Sequence, residues 1–66
     1  METGVKYPGI TVQLTDGNAL AIIARVRSAL KRGGISREEC GVFVAEATSG
    51  DYDHLLQVVM KWVMVD

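Results

Sequence analysis

The stretch Ser36-Arg37-Glu38-Glu39 constrains the fold most, because it has the pattern of a capping box at the start of a helix. In a capping box the Ser36 hydroxyl accepts a hydrogen bond from the Glu39 amide, and the Glu39 carboxylate accepts one from the Ser36 amide. Gly33-Gly34 comes just before it and predicts the end of an earlier helix, with one glycine at positive φ. A boundary between two helices is therefore expected here.

The same kind of signal predicts helices on both sides of this boundary. Asp16 or Asn18 can cap a first helix, and Asp51, which follows Ser49-Gly50, can cap a third. Apolar residues recur at helical spacing between these signals. The predicted helices span three ranges, about 17–32, 37–48 and 51–62.

The apolar spacing also predicts which side chains point inward. The first helix has an inward-facing apolar stripe, which Leu20 widens. The stripe is formed by Ala19, Ile22, Ile23, Val26 and Leu30. The second helix buries Cys40, Phe43, Val44 and Ala47. The third helix is expected to bury one face, which Met60 and Trp62 flank. This face is formed by Tyr52, Leu55, Leu56, Val59 and Val63.

An alternating pattern before the first helix predicts a strand at about 9–15, with Ile10, Val12 and Leu14 on its inner face. Pro8 cannot donate to a sheet, so residues 1–8 are expected to form a flexible arm and residues 9–66 a single small domain. The tail 62–65 alternates as well. It can continue the third helix or form a short strand that pairs with the first, and a second copy is the other source of a partner strand. The fold class is α+β.

Length and composition restrict how this chain is stabilised. A 66-residue domain buries only about 60% of its unfolded surface, so an unusually apolar core or self-association is expected. A single cysteine and a single histidine allow neither an intrachain disulfide nor a closed zinc site, and no cofactor is expected. There is no apolar run of membrane-spanning length and no secretion signal, which predicts a soluble cytoplasmic protein.

Three local patterns invite a catalytic or ligand-binding interpretation. His54 lies three residues after Asp51, Cys40 lies in the first turn of a helix, and Asp16-Gly17-Asn18 precedes one. The structural interpretations are a cap, a small buried side chain and a turn, and we favour each of them because no recognisable nucleophile or phosphate-binding motif accompanies these residues. No catalytic residue and no small-molecule substrate are assigned.

A run of cations without any acid is the strongest of the surface signals. It comprises Arg25, Arg27, Lys31, Arg32 and Arg37. Met60 and Met64, one helical turn apart if the third helix continues, can add an adaptable apolar patch. With no catalytic pattern, we expect a non-enzymatic module that binds another protein, including a second copy of itself. The alternative is a weak nucleic-acid-binding accessory protein that uses the cations, although the acidic start of the third helix disfavours reading of DNA by that helix.

Three stretches resemble a group of small bacterial proteins of similar length to which no activity is assigned. They are Tyr7-Pro8-Gly9-Ile10-Thr11-Val12-Gln13-Leu14, Asp16-Gly17-Asn18-Ala19 and Glu46-Ala47-Thr48-Ser49-Gly50-Asp51-Tyr52-Asp53-His54-Leu55-Leu56. The resemblance covers nearly the whole chain. It implies a stand-alone bacterial, cytoplasmic protein and implies no reaction.

Overall fold

The computed structural model describes residues 4–15 and 17–66, which form a strand, three helices and a second strand. The elements are β1 (Tyr7–Val12), α1 (Ala19–Arg32), α2 (Arg37–Ala47), α3 (Tyr52–Trp62) and β2 (Val63–Val65). The predicted α+β class, the three helices and the short C-terminal strand are confirmed. β2 pairs with β1 in parallel, so the three helices together form the crossover that parallel strands require.

The first strand begins earlier and ends earlier than predicted. Tyr7 pairs with Val63, but the next pair is Thr11 with Met64, so the irregular segment 8–10 lies between two regular pairs. Pro8 is tolerated there because an irregular segment needs no ladder bond from its nitrogen. The prediction that regular structure begins only after Pro8 is therefore wrong. The alternation of inner and outer side chains from Ile10 to Thr15 is confirmed, although β1 itself ends at Val12.

The predicted helix starts are confirmed, with one exception in detail. The side chains of Asn18, Ser36 and Asp51 accept hydrogen bonds from the amides of Leu20, Glu39 and His54. The prediction that the Ser36 amide donates to the Glu39 carboxylate is wrong. This carboxylate instead accepts from the Tyr7 hydroxyl and forms an ion pair with Lys6. Asp16, the other candidate cap of α1, lies outside the described residues.

α1 ends in the predicted glycine stop. Gly34 has φ of 85°, its amide donates to the Lys31 carbonyl at 3.1 Å, and the Ile35 amide donates to the Leu30 carbonyl at 3.0 Å. This pair of bonds is the Schellman motif, which satisfies carbonyls that a helix end otherwise leaves free. The turn brings α2 back alongside α1.

The core lies between the sheet and the helices, and most of the expected inward residues fill it. Fully buried side chains include Phe43, Ile22, Leu30, Val26, Val58, Val59 and Val63. Three predictions about single side chains are wrong. Leu20 is 76% exposed, because it lies about 200° around the helix from Ile22. Trp62, expected at the flank, is 3% exposed because it continues the stripe of Leu55, Val58 and Val59. Tyr52 is 44% exposed.

Candidate protein-binding groove

A groove of about 730 Å³ lies between α1 and α2. Its lining has two parts. The apolar floor and wall are formed by Ile35, Cys40, Gly41, Val44 and Ala45, and the basic rim is formed by Arg27, Lys31 and Arg37. Arg27 and Lys31 each follow a fully buried residue of α1, which places both cations on one flank of the buried stripe. We refer to this feature as the α1–α2 groove.

The groove exists because α2 is apolar on two sides. One side, with Cys40, Phe43 and Ala47, faces the core. The other side carries Gly41 and Ala45, both exposed, and Val42, which is 52% exposed. A surface helix normally has one apolar stripe and a polar outer face, and apolar residues all round are typical of a helix that is covered on both sides. α2 therefore has an apolar surface that the described chain leaves uncovered.

Gly41 makes this surface unusually accessible. A Cβ added at Gly41 would meet no atom within 4 Å, so no neighbouring element of the chain requires a glycine there. Gly41 and Ala45, one turn apart, instead leave room for an incoming helix or side chain to approach the α2 backbone.

The rim of the α1–α2 groove is positively charged. None of its lining residues is an acid. Among the described residues, an ion pair joins Lys6 to Glu39, which lies on the side of α2 opposite the groove. The rim cations are thus available to an acidic ligand, and an apolar floor beside them suits a ligand that has both apolar and acidic groups.

Two acids of α2, Glu39 and Glu46, are engaged on the side that faces β1 and α3. The Tyr7 hydroxyl donates to Glu39 Oε2 at 2.9 Å, and Lys6 Nζ forms an ion pair with the same oxygen. Trp62 Nε1 donates to Glu46 Oε1 at 2.8 Å. The Lys6 ammonium, and next the Tyr7 hydroxyl, hold the pKa of the Glu39 carboxyl below its usual value.

Aromatic contacts complete this second region. The Trp62 ring lies with its centroid 5.4 Å from that of Phe43 and 5.9 Å from that of Tyr7. Lys6 Nζ is 4.2 Å from the Trp62 ring centroid, within cation–π range. We call the set Lys6, Tyr7, Glu39, Glu46 and Trp62 the tryptophan cluster. Its polar groups are used within the fold, so it is a structural element.

The five predicted cations line two different features of the surface. Arg27, Lys31 and Arg37 line the α1–α2 groove, whereas Arg25 and Arg32 line a separate shallow depression with Ala21, Ala24 and Ser28. The buried stripe of α1 lies between the two groups, because Arg25 precedes Val26 and Arg27 follows it. Met60 and Met64 are 55% and 39% exposed and line neither feature.

The other candidate residues have structural partners. The Asp51 carboxylate accepts from the His54 amide at 2.9 Å, so it caps α3. The His54 ring Nε2 lies 2.9 Å from the Glu46 carbonyl and 3.1 Å from Ser49 Oγ, at the end of α2. Cys40 is a free thiol, 5% exposed. The Gly17 carbonyl accepts from the Tyr52 hydroxyl at 2.6 Å. Asp51, His54 and Cys40 fit the structural interpretation, and Asn18 caps α1, whereas the turn predicted at Asp16 lies outside the described residues.

The rim cations of the groove were predicted from the sequence as candidate binding residues, whereas its floor was not. Cys40 and Val44 of the floor were expected in the core. The available signal was the composition of α2, whose residues 40–45, CGVFVA, contain no polar side chain and so cannot provide a solvated face.

Comparisons with protein-family models, curated proteins and solved structures give no match for this chain. The resemblance to small bacterial proteins stays untested. No helix in residues 4–15 and 17–66 is both long and apolar enough to cross a bilayer. The same residues contain no group of three or more histidine, cysteine, aspartate or glutamate side chains placed to hold a metal ion.

Proposed function

We propose that this protein is a non-enzymatic binding module that holds an acidic, amphipathic helix of another protein in the α1–α2 groove. The observation that carries the proposal is the combination of an uncovered apolar surface on α2 with a rim of three cations and no acid. Amphipathic helices bind by placing their apolar face in such grooves, with charged flanking residues setting orientation. The proposal includes a cytoplasmic location.

The size of the groove agrees with a helical ligand. The lining of α2 extends from Arg37 to Ala45, and nine residues of helix span about 13 Å. That length accepts two to three turns of a partner helix, so two or three apolar anchors at helical spacing would contact the floor. Acidic residues on both flanks of those anchors would then meet the rim.

Two matched peptides test this proposal by isothermal titration calorimetry. Both are helices of about 14 residues, roughly four turns, with leucine at positions i, i+4 and i+7. One carries glutamate beside the leucines and the other carries lysine. The acidic peptide should bind at least about tenfold more tightly, because only it complements the rim. Equal affinity for the two peptides, or no heat with either at millimolar concentration, would refute the proposal.

A pair of variants locates the binding site. Arg27→Glu reverses a charge on the groove rim, and Arg25→Glu makes the same change on the opposite flank of α1. Both side chains are exposed, so both variants should fold. Binding of the acidic peptide should fall with Arg27→Glu and stay unchanged with Arg25→Glu. Equal losses would mean that net charge, rather than the groove, determines binding.

The nucleic-acid alternative stays a prediction, and the same pair of variants separates it from the groove. A phosphate backbone contacted by the whole cluster would lose affinity with either variant, and that affinity would fall steeply with salt. A gel shift with DNA or RNA at about 50 mM salt that weakens equally with Arg25→Glu and Arg27→Glu would favour the alternative.

A further inference from the structure

We infer that a second copy of this chain supplies an occupant of the groove, through α2 itself, so that two α2 helices pack antiparallel across a two-fold axis. The inference rests on the proposed function, since it names a partner for the same groove. α2 qualifies as a ligand because its exposed side combines apolar and acidic residues. It is a helix with an exposed apolar residue, Val42, and an exposed acid one turn before it, Glu38.

The charge arrangement on α2 matches a two-fold pairing. If two antiparallel helices cross between Gly41 and Val42, residue 38 of one copy lies opposite residue 45 of the other. The chain turns back between α1 and α2, so Arg27, which lies further from the turn than Lys31, is at the Ala45 end of the groove. Glu38 of the second copy therefore lies at the part of the rim formed by Arg27, and symmetry repeats the pair on the other side. Gly41 at the crossing lets the two backbones approach closely.

The residues of this pairing are free to take part. The Glu39 and Glu46 carboxylates, which also belong to α2, are already held by Lys6, Tyr7 and Trp62. Glu38 is exposed, and the ion pair found among the described residues involves neither Glu38 nor Arg27. Of the acids on α2, Glu38 is thus the one directed away from the tryptophan cluster and toward solvent.

The surface area that two copies can bury limits the expected affinity of the dimer. A stable interface buries about 800 Å² of each partner, which is close to a fifth of the 4440 Å² surface of this chain. An 11-residue helix is only about 16 Å long, so a single helix crossing with its rim contacts lies below that area. The dimer should be weak and should be sought at protein concentrations from about 10 µM to 1 mM.

Charge reversal and mixing test the pairing by sedimentation equilibrium. Arg27→Glu and Glu38→Arg should each weaken self-association roughly tenfold or more, because each places like charges together at both symmetric contacts. An equimolar mixture of the two variants should associate as tightly as the wild-type protein, because every contact in the mixed dimer is again between opposite charges. The double variant, Arg27→Glu with Glu38→Arg, should also recover association.

Three results would overturn the inference. They are a wild-type protein that stays monomeric at 1 mM, single variants that associate as well as the wild type, and a mixture that does not recover. Circular dichroism of each variant confirms that it is folded. A monomeric wild-type protein that still binds the acidic peptide would remove the second copy as a partner and leave the proposed function in place. A wild-type protein that neither self-associates nor binds the acidic peptide would overturn the inference and the proposed function together.

Discussion

The two sides of α2 use charge in opposite ways. On the side of the tryptophan cluster, Glu39 and Glu46 each have a partner from a distant part of the chain, and the aromatic ring of Trp62 is buried against them. On the groove side, Arg27, Lys31 and Arg37 surround apolar atoms without an acid among the lining residues. One side of α2 thus holds the fold together, whereas residues of the other side, such as Gly41 and Ala45, are exposed to solvent.

The largest expected effect comes from the tryptophan cluster. Trp62→Ala removes a ring that packs on Phe43 and Tyr7, and it leaves Glu46 without its donor. Burial of this kind is worth about 3–5 kcal/mol, against a total stability of about 3–10 kcal/mol for a domain of 66 residues. Urea unfolding followed by circular dichroism should show the free energy of unfolding lowered by about 3–5 kcal/mol.

Val42→Ala on the groove side is the matched control for Trp62→Ala. Val42 is 52% exposed, so its truncation should change the free energy of unfolding by less than about 0.5 kcal/mol. If both variants are destabilised by similar amounts, α2 is equally important for stability on its two sides and the comparison is wrong.

A smaller effect is expected at the start of α2. Ser36 accepts from the Glu39 amide at 3.1 Å, and loss of a serine cap costs about 1 kcal/mol. For a domain this small, Ser36→Ala should lower the melting temperature by roughly 4–8 °C. Ser28→Ala, an exposed position within α1, should leave it unchanged. Identical melting temperatures for the two variants would show that the cap does not determine the start of α2.

Gly41 separates stability from binding on the groove side. Alanine should stabilise α2 by up to about 1 kcal/mol, because the added methyl meets no atom within 4 Å. The same methyl occupies the floor of the groove, so affinity for the acidic peptide should fall. Gly34→Ala, at φ of 85°, should instead destabilise the chain. Chemical unfolding and calorimetry of both variants check this, and a Gly41→Ala variant that binds unchanged would place the ligand elsewhere.

The smallest effect concerns pH. The pKa of Glu39 is lowered in the folded state, first by Lys6 and then by Tyr7, so its contribution to stability is present above its unfolded value of about 4.5. That contribution is lost as the pH falls through the lower folded value. Glu39→Gln should therefore reduce the loss of stability below pH 4.5, measured by urea unfolding between pH 7 and pH 3. An unchanged pH profile would mean that the pair contributes nothing.

Local signals made much of this fold predictable. Asn18, Ser36 and Asp51 cap helices through bonds to residues two or three positions away, and such bonds can be inferred from the sequence. Gly34 adopts its positive φ for an equally local reason. The preferences for residues at helix ends therefore predict the three helices and their order along the chain.

The errors occurred where distant residues decide the structure. Glu39 is placed for a capping box, yet it binds Tyr7, 32 residues away, because the strand pairing brings that hydroxyl alongside α2. The strand begins at Tyr7 because an irregular register accommodates Pro8, which no local pattern shows. The groove floor was missed for the same reason, since it forms only when α1 and α2 pack together.

The most direct test of the central claim is a ¹H–¹⁵N NMR titration of the labelled protein with the acidic helical peptide. The amide shifts should concentrate at Ile35, Gly41 and Val44, and the indole N–H of Trp62, on the opposite side of α2, should not shift. Shifts centred on Met60 and Met64, or spread evenly over both flanks of α1, would contradict it.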